Sequence, residues 1–174
     1  NGQLLPDPIY AFPVLPEGER GLLGLAVDPN FAANHYVWVY VSRFSAQTDC
    51  GSHYKNRVVR FELNDDNTVT ADPVTIGCFP IVSQYETIHN GGNLHFGPDG
   101  KLYISVGNND STNDGVDPAQ DLNSPLGKLH RFNADTQFTA PGDNPFPGSG
   151  IYAYGLRNSF DFDFDPITGQ VFAT

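Results

Sequence analysis

The chain has 174 residues and a formal net charge of −11 at pH 7, and Lys and Arg together number only nine. Nucleic acids and anionic membrane surfaces need a basic patch that so few cations hardly supply, so both are poor expected partners. No apolar run approaches the ~20 residues that a membrane-spanning helix needs.

Glycine and proline set the expected fold class. The 18 Gly and 14 Pro break the sequence into many short apolar runs. No amphipathic stretch of helical length is free of them, and this favours an all-β domain. A chain that begins at Asn1 and contains no Met looks like a processed or incomplete product.

Residues 1–16 predict strand pieces rather than a continuous strand. The apolar residues between positions 4 and 12 are interrupted or followed by Pro6, Pro8 and Pro13. Because proline cannot donate to a sheet ladder, these pieces are expected at an edge or in an outer strand.

Four successive strands are predicted next. Residues 22–27 form an almost unbroken apolar run after a polar loop, which predicts a strand buried on both faces. Three further strands, rich in β-branched and aromatic residues, are predicted after short turns at residues 36–41, 56–63 and 74–78. Together they predict a four-stranded meander.

The pattern restarts at residues 88–107. Apolar and polar residues alternate on both sides of a Pro-Asp-Gly turn at 98–100, which predicts a β-hairpin. His89 stands at the entrance of its first strand. Gly91 and Gly92 leave room beside it for another backbone or a flat ligand.

The rest of the chain predicts a repeat. Residues 127–132 form a third strand, a weaker fourth is expected at 137–140, and residues 151–165 open a further unit. Strand-turn-strand openings recur about 65 to 70 residues apart, which favours a β-propeller of four-stranded antiparallel blades over a β-sandwich.

The expected blade boundaries follow from this repeat. Residues 1–16 are assigned to the outer strand pieces of a preceding blade, 17–85 and 86–148 to two blades, and 149–174 to the start of the next. The chain thus holds about two and a half blades, whereas a propeller closes with roughly four to eight. We expect either a longer chain or a second polypeptide to complete the ring.

His89 is the candidate general base among the five histidines. An imidazole accepts a proton near neutral pH, and the neighbouring glycines leave space for a substrate. The alternative is a histidine that is simply hydrogen-bonded at a strand end. His95 and His130 lie within strands and are interpreted as structural.

Arg157 and Asn158 form a second candidate site at the start of a strand. A guanidinium fork and an amide suit a carboxylate or a quinone oxygen, although a solvated loop is an equal alternative. Glu19, on the loop before the first strand, could reach a central pocket or could be an ordinary loop carboxylate.

Residues 108–117 are dense in Asp, Asn and Ser and could hold calcium. Their spacing differs from that of an EF-hand loop, and such clusters are also ordinary turn formers.

Cys50 and Cys78 are either one disulfide or two buried thiols. The two cysteines, the acidic composition and the glycosylation-type triplet at 109–111 together favour an extracytoplasmic compartment.

Five ordered motifs carry a family resemblance across nearly the whole chain. They are residues 18–31 (GERGLLGLAVDPNF), 89–92 (HNGG) with 96–103 (FGPDGKLY), 126–129 (LGKL), 143–146 (DNPF) and 155–158 (GLRN). Together they resemble the glucose/sorbosone dehydrogenase family, the soluble PQQ-dependent aldose sugar dehydrogenases.

The resemblance implies a six-bladed β-propeller, found in the periplasm or outside the cell, that binds pyrroloquinoline quinone (PQQ) and calcium at its axis. It implies oxidation of the C1 hydroxyl of an aldose, with electrons passed on to a redox acceptor. His89 resembles the base that takes the hydroxyl proton while hydride passes to the quinone. Arg157 and Asn158 resemble contacts to the quinone oxygens, and Glu19 lines the pocket.

Three positions depart from the family pattern. Ile88 stands where some members have an acidic residue that orients the base, Ser159 replaces a proline, and His130 replaces an aliphatic residue. The calcium-binding carbonyls and further cationic contacts of the family lie beyond the matched residues. Two alternatives therefore stay open: a non-enzymatic extracellular propeller that binds protein or glycan, and a calcium-dependent lactonase-like propeller.

Overall fold

The computed structural model describes residues 4–44, 50, 54–82, 85, 87–110 and 117–174. The first sheet contains, in this order, β1 (Leu22–Val27), β2 (Tyr36–Phe44), β3 (Tyr54–Glu62) and β4 (Val74–Pro80). The second contains β5 (Gly91–Phe96), β6 (Leu102–Val106), β7 (Lys128–Phe132) and β8 (Ile151–Tyr154). A two-stranded sheet pairs β9 (Phe162–Phe164) with β10 (Val171–Ala173).

All neighbouring strands pair antiparallel and follow one another along the chain. Among the described residues, the helical elements are a single turn, α1 (Phe31–Asn34), and a 3₁₀ turn (Pro118–Gln120), and Cys50 is also in 3₁₀ conformation. The prediction of an all-β fold made of four-stranded antiparallel sheets is confirmed. No helix in the described ranges is long and apolar enough to cross a membrane.

Three details of the sequence prediction are wrong. Residues 4–16 contain no strand, because the prolines at 6, 8 and 13 remove the donors that a ladder needs. Instead, Phe12 and Val14 pack as side chains against the apolar cluster of β2 and β3. The strand β1 is not buried on both faces, since Leu25 and Val27 are more than half exposed.

The third correction concerns the fourth strand of the second sheet. Residues 137–140 form no strand, and the fourth strand of the second sheet is β8, which pairs with β7 through Leu129 opposite Ala153. The second sheet therefore extends past residue 148 to Tyr154. The short segment at 137–140 still contributes Phe138, whose ring stacks on Phe132 at a centroid distance of 3.9 Å.

The main core lies between the two four-stranded sheets. Trp38, Tyr40 and Val58 from the first sheet and Leu94 and Ile104 from the second are fully buried in one cluster. Because alternate residues of each strand point to this interface, the period-2 pattern of the sequence becomes the contact between sheets.

Two glycines let the innermost strands meet closely. The strand β1 packs against β5, and a Cβ at Gly24 would strike the carbonyl oxygen of Gly92. A side chain at Gly24 would therefore push the two strands apart. This junction brings the loop before β1 beside the residues that lead into β5.

Two family motifs have a structural explanation. Asp28 is buried and accepts hydrogen bonds from the Trp38 indole at 3.0 Å and the Asn34 amide at 2.9 Å. Arg131 contacts Asp143 at 2.8 Å and Asn144 at 2.9 Å. Its guanidinium donates to Asp143 and holds the pKa of that carboxyl below its usual value.

Cys50 and Cys78 form a disulfide, with their Cα atoms 6.1 Å apart. The bridge joins residue 50, in the connection between β2 and β3, to the outer strand β4. Nη1 of the buried Arg57 lies 3.1 Å from the Cys50 sulfur. The sequence left a disulfide and two buried thiols as alternatives, and the structure shows the disulfide.

Candidate functional site

The structure brings together all four residues that the sequence singled out. Glu19 lies on the loop before β1, His89 lies two positions before the first residue of β5, and Arg157 and Asn158 follow β8. Hydrogen bonds connect Glu19 both to His89 and to Asn158. Residues 139 positions apart in the chain thus share one site.

The backbone of His89 has an unusual conformation. Its φ is 53°, in the left-handed region that non-glycine residues rarely adopt, and the residue is only 4% exposed. The N–H donates to Oε2 of Glu19 at 2.7 Å. The carbonyl accepts from Asn109, through its backbone N at 3.1 Å and its side-chain Nδ2 at 3.2 Å. These bonds hold the strained conformation, a feature that clusters at functional sites.

Gly107 makes room for this arrangement. A Cβ at position 107 would overlap the carbonyl oxygen of His89 and crowd Oδ1 of Asn158. The glycine at the end of β6 is therefore required by the close approach of two backbones.

The His89 ring is oriented by the residues that follow β6. Its Nδ1 lies 3.0 Å from Oδ1 of Asn108 and 3.4 Å from Oδ1 of Asp110. Asn108 Oδ1 also accepts the Asp110 backbone N–H at 2.9 Å, while its Nδ2 donates to Asp117 at 3.2 Å.

This network assigns the tautomer of His89. A carboxylate can only accept, so Asp117 turns the amide nitrogen of Asn108 toward itself and the amide oxygen toward His89. Nδ1 of the neutral ring then carries the hydrogen. Nε2 keeps its lone pair, and it has no hydrogen-bond partner in the part of the chain that the structure describes. The ring is thus set up to accept a proton at Nε2.

Sequence reasoning missed the roles of Asn108 and Asp110. It looked for an acidic residue at position 88, next to His89, whereas the orienting groups lie in the loop that follows β6, the strand paired with β5. Their composition resembles an ordinary turn. The available signal was their position, since they directly follow β6 and β6 is adjacent to β5.

The amide of Asn158 is fixed from both sides. Its Oδ1 accepts the Gly91 N–H at 3.0 Å, and its Nδ2 donates to Glu19 at 3.3 Å. Within the described part of the chain, the second N–H of this amide has no acceptor and could donate to a ligand. Arg157 has a more accessible side chain, 71% exposed, whose nearest acid is Asp110 at 3.7 Å.

Lys128 stabilises the segment that carries Arg157 and Asn158. Its ammonium is fully buried and donates to the carbonyls of Pro118 at 2.9 Å, Ala119 at 3.0 Å and Leu126 at 2.6 Å. Burial lowers the pKa of this amine. The Ala119 carbonyl also accepts the N–H of Gly155 at 2.8 Å, so Lys128 ties the 3₁₀ turn to the segment that carries Arg157.

The predicted calcium loop gives no metal site in the described residues. Residues 111–116 lie outside them, and within the described ranges no three His, Cys, Asp or Glu side chains are grouped to hold an ion. Asn109 of the glycosylation-type triplet is fully buried. Because its side chain bonds to His89, it is not an accessible glycan acceptor in this fold.

His130 lies away from the site, in a cluster with Phe79 and Phe132. Its Nε2 is 2.8 Å from the Pro125 carbonyl, and burial lowers the pKa of the imidazole to about 4. The ring is therefore neutral at physiological pH.

Comparison with known proteins finds a matching family model and similar proteins. A family model described as Glucose / Sorbosone dehydrogenase matches residues 1–174. The aldose sugar dehydrogenase YliI of Escherichia coli is 32% identical over 95% of this chain and 43% of its own length. The hedgehog-interacting protein of Mus musculus is 32% identical over 80% of this chain and 22% of its own length.

A solved structure shows the same fold. The PQQ-bound form of an aldose sugar dehydrogenase from Streptomyces coelicolor superposes with a TM-score of 0.75 and 34% identity, covering 92% of this chain and 43% of that one. The prediction of a partial β-propeller is confirmed. The chain spans less than half the length of each of these three relatives.

Proposed function

The chain belongs to the glucose/sorbosone dehydrogenase family, and we propose that the protein containing it is a PQQ-dependent dehydrogenase that oxidises the C1 hydroxyl of an aldose. One observation carries the proposal: His89, whose Nε2 has no hydrogen-bond partner among the described residues, lies in one site with Arg157 and Asn158. The dehydrogenase relatives support PQQ for the family.

His89 is proposed as the general base. Its Nε2 takes the proton of the C1 hydroxyl, and the imidazolium that forms is stabilised by Asn108 and by the Asp110 carboxylate 3.4 Å from Nδ1. PQQ, when bound, supplies the acceptor for the hydride that leaves C1. Electrons would then pass to a redox acceptor, and the aldose would become a lactone.

The residues present fit a quinone that carries carboxylates. The exposed guanidinium of Arg157 matches an anionic or carbonyl oxygen, and Asn158 has one N–H to offer beside it. Glu19 holds Asn158 in place, since Nδ2 of Asn158 donates to its carboxylate at 3.3 Å. Calcium is proposed from the family resemblance alone.

The rest of the pocket would come from the remaining blades of the ring, supplied by further residues of the same polypeptide or by a second chain. We propose an extracellular or periplasmic location, because the Cys50–Cys78 disulfide is typical of an oxidising compartment.

The experiment uses the intact protein, loaded with PQQ and calcium. Dye reduction is measured across a panel of aldoses, and quinone binding is measured separately by absorbance. We expect aldose-dependent turnover. No turnover with any sugar, together with no quinone binding, would contradict the enzyme proposal.

A His89→Asn variant tests the base. Asparagine tolerates the left-handed backbone of position 89 but cannot act as the base, so kcat should fall by roughly 10² to 10⁴ while quinone affinity is retained. His95→Asn is the matched control, because His95 lies outside the site in β5. Full turnover in His89→Asn would remove His89 as the base.

The alternative is a non-enzymatic extracellular propeller that binds protein or glycan. The similarity to the hedgehog-interacting protein of Mus musculus favours it. This alternative predicts an intact fold that binds no quinone, so the same absorbance measurement separates it from the dehydrogenase.

A further inference from the structure

We propose that Glu19 is a positioning residue that holds both His89 and Asn158, and that it does not contact the cofactor itself. The inference rests on the proposed function, since His89 is taken as the base. It assigns to Glu19 a role different from that of a pocket-lining cofactor contact.

A single carboxylate oxygen makes both bonds. Oε2 of Glu19 accepts the His89 backbone N–H at 2.7 Å and Nδ2 of Asn158 at 3.3 Å. The backbone N–H of Glu19 donates to the Thr87 carbonyl at 2.9 Å. Main chain and side chain therefore fasten the Glu19 loop to the segment that ends in His89.

The bond to His89 stabilises a conformation that the residue would otherwise avoid. His89 is buried at a φ of 53°, and its N–H would lose its acceptor if the carboxylate were removed. A buried donor without a partner is unfavourable, so the backbone would relax toward negative φ. That rotation would carry the imidazole away from Asn108.

The bond to Asn158 selects the orientation of its amide. Gly91 offers a donor to one end of the amide and Glu19 offers an acceptor to the other. Without Glu19, only the Gly91 bond would hold the side chain. The same oxygen thus aligns the candidate base with a candidate quinone contact.

Charge argues against direct contact between Glu19 and the quinone or carboxylate oxygens of the cofactor. The quinone and carboxylate oxygens of PQQ accept hydrogen bonds, and an ionised glutamate has none to donate. Two negative groups in contact would also repel each other. Arg157 and the free N–H of Asn158 are the suitable partners in the described residues.

The test compares Glu19→Gln with Glu19→Ala in the intact protein. Glutamine keeps an acceptor oxygen for both bonds, whereas alanine keeps none. Glu17→Ala, two residues earlier on the same exposed loop, is the matched control. The readouts are kcat, the dissociation constant of PQQ, and hydrogen exchange at the His89 amide by NMR.

We expect Glu19→Ala to lower kcat by about 10- to 100-fold and to speed His89 amide exchange by at least about tenfold. PQQ affinity should change by less than about threefold, because the Gly91 N–H still holds Asn158, and Glu19→Gln should recover most of the kcat that Glu19→Ala loses. The proposal is overturned if alanine weakens PQQ binding with kcat unchanged, or if glutamine is as damaging as alanine.

Failure of the proposed function gives a different result. If the parent protein neither binds PQQ nor turns over sugar, the dehydrogenase assignment fails, but amide exchange still reports on the bond. Unchanged His89 exchange in Glu19→Ala would then overturn the positioning role by itself.

Discussion

Oδ1 of Asn108 lies 3.0 Å from Nδ1 of His89, and the amide nitrogen of the same side chain lies 3.2 Å from Asp117. The two contacts point the amide oxygen at the imidazole. A residue that is neutral and buried thereby decides which ring nitrogen carries the proton.

Replacing Asn108 with leucine should disturb this tautomer. Asn108→Leu keeps the approximate volume but removes the acceptor, leaving only the more distant Asp110 carboxylate for Nδ1. We expect a mixture of ring tautomers at His89 in ¹⁵N-histidine spectra and a fall in kcat of roughly 10-fold or more.

Asn133→Leu is the control for that experiment. It removes a partly buried amide that bonds to Thr139 and Lys101, in the turn after β7. A His89 spectrum identical in the parent and Asn108→Leu would show that Asn108 does not set the tautomer.

Gly107→Ala should be strongly destabilising. The new methyl group would overlap the His89 carbonyl, and this neighbour is backbone that cannot swing away. We expect the free energy of unfolding to fall by about 2 to 4 kcal/mol, measured by urea denaturation. Gly142→Ala, where no atom lies within 4 Å of the added Cβ, should stay within about 1 kcal/mol of the parent. Equal effects at the two positions would contradict the close approach.

The neutral His130 should make stability depend on pH. Because burial lowers its pKa from 6.5 to about 4, the unfolded chain binds more protons than the folded one between these values. Its contribution is therefore complete above pH 6.5 and is lost as pH falls to about 4, a change of roughly 3 kcal/mol.

Urea unfolding at several pH values checks this contribution. His130→Leu should flatten the dependence between pH 6.5 and 4, whereas His35→Leu, a change at a side chain 36% exposed, controls for the loss of one histidine. An unaltered slope in His130→Leu would refute the assignment.

The disulfide should contribute to stability. It links cysteines separated by 28 positions, and removing it in a Cys50→Ser, Cys78→Ser variant should cost roughly 3 kcal/mol in urea unfolding. Thiol titration of the denatured, unreduced protein is the direct check. Two titratable thiols would exclude the bridge.

Strand existence was predictable because period-2 alternation is a local property of sequence. Burial was harder to predict. The sequence of β1 is apolar throughout, but its periodicity does not show which of its faces other elements cover. The weak signal at 137–140 came from Phe138 and its neighbours, whose apolar character serves packing on Phe132 rather than pairing. The true fourth strand, β8, was assigned to the following unit.

The four candidate site residues were found through ordered motifs, and their proximity agrees with that choice. The hydrogen-bond network around His89 was not predictable in the same way. Asn108 and Asp117 both reach the site through the pairing of β5 with β6 and the 3₁₀ turn that follows. Their residue types alone are typical of any solvent-exposed turn.

Lys128 has a consequence for how the site is assembled. Three main-chain carbonyls around one positive charge form the kind of oxygen cage that proteins also offer to hard metal ions. Here the charge is covalently attached to the chain, so neither a chelator nor dialysis can extract it. These three carbonyls next to the segment of Arg157 and Asn158 therefore need no exchangeable ion to hold them together.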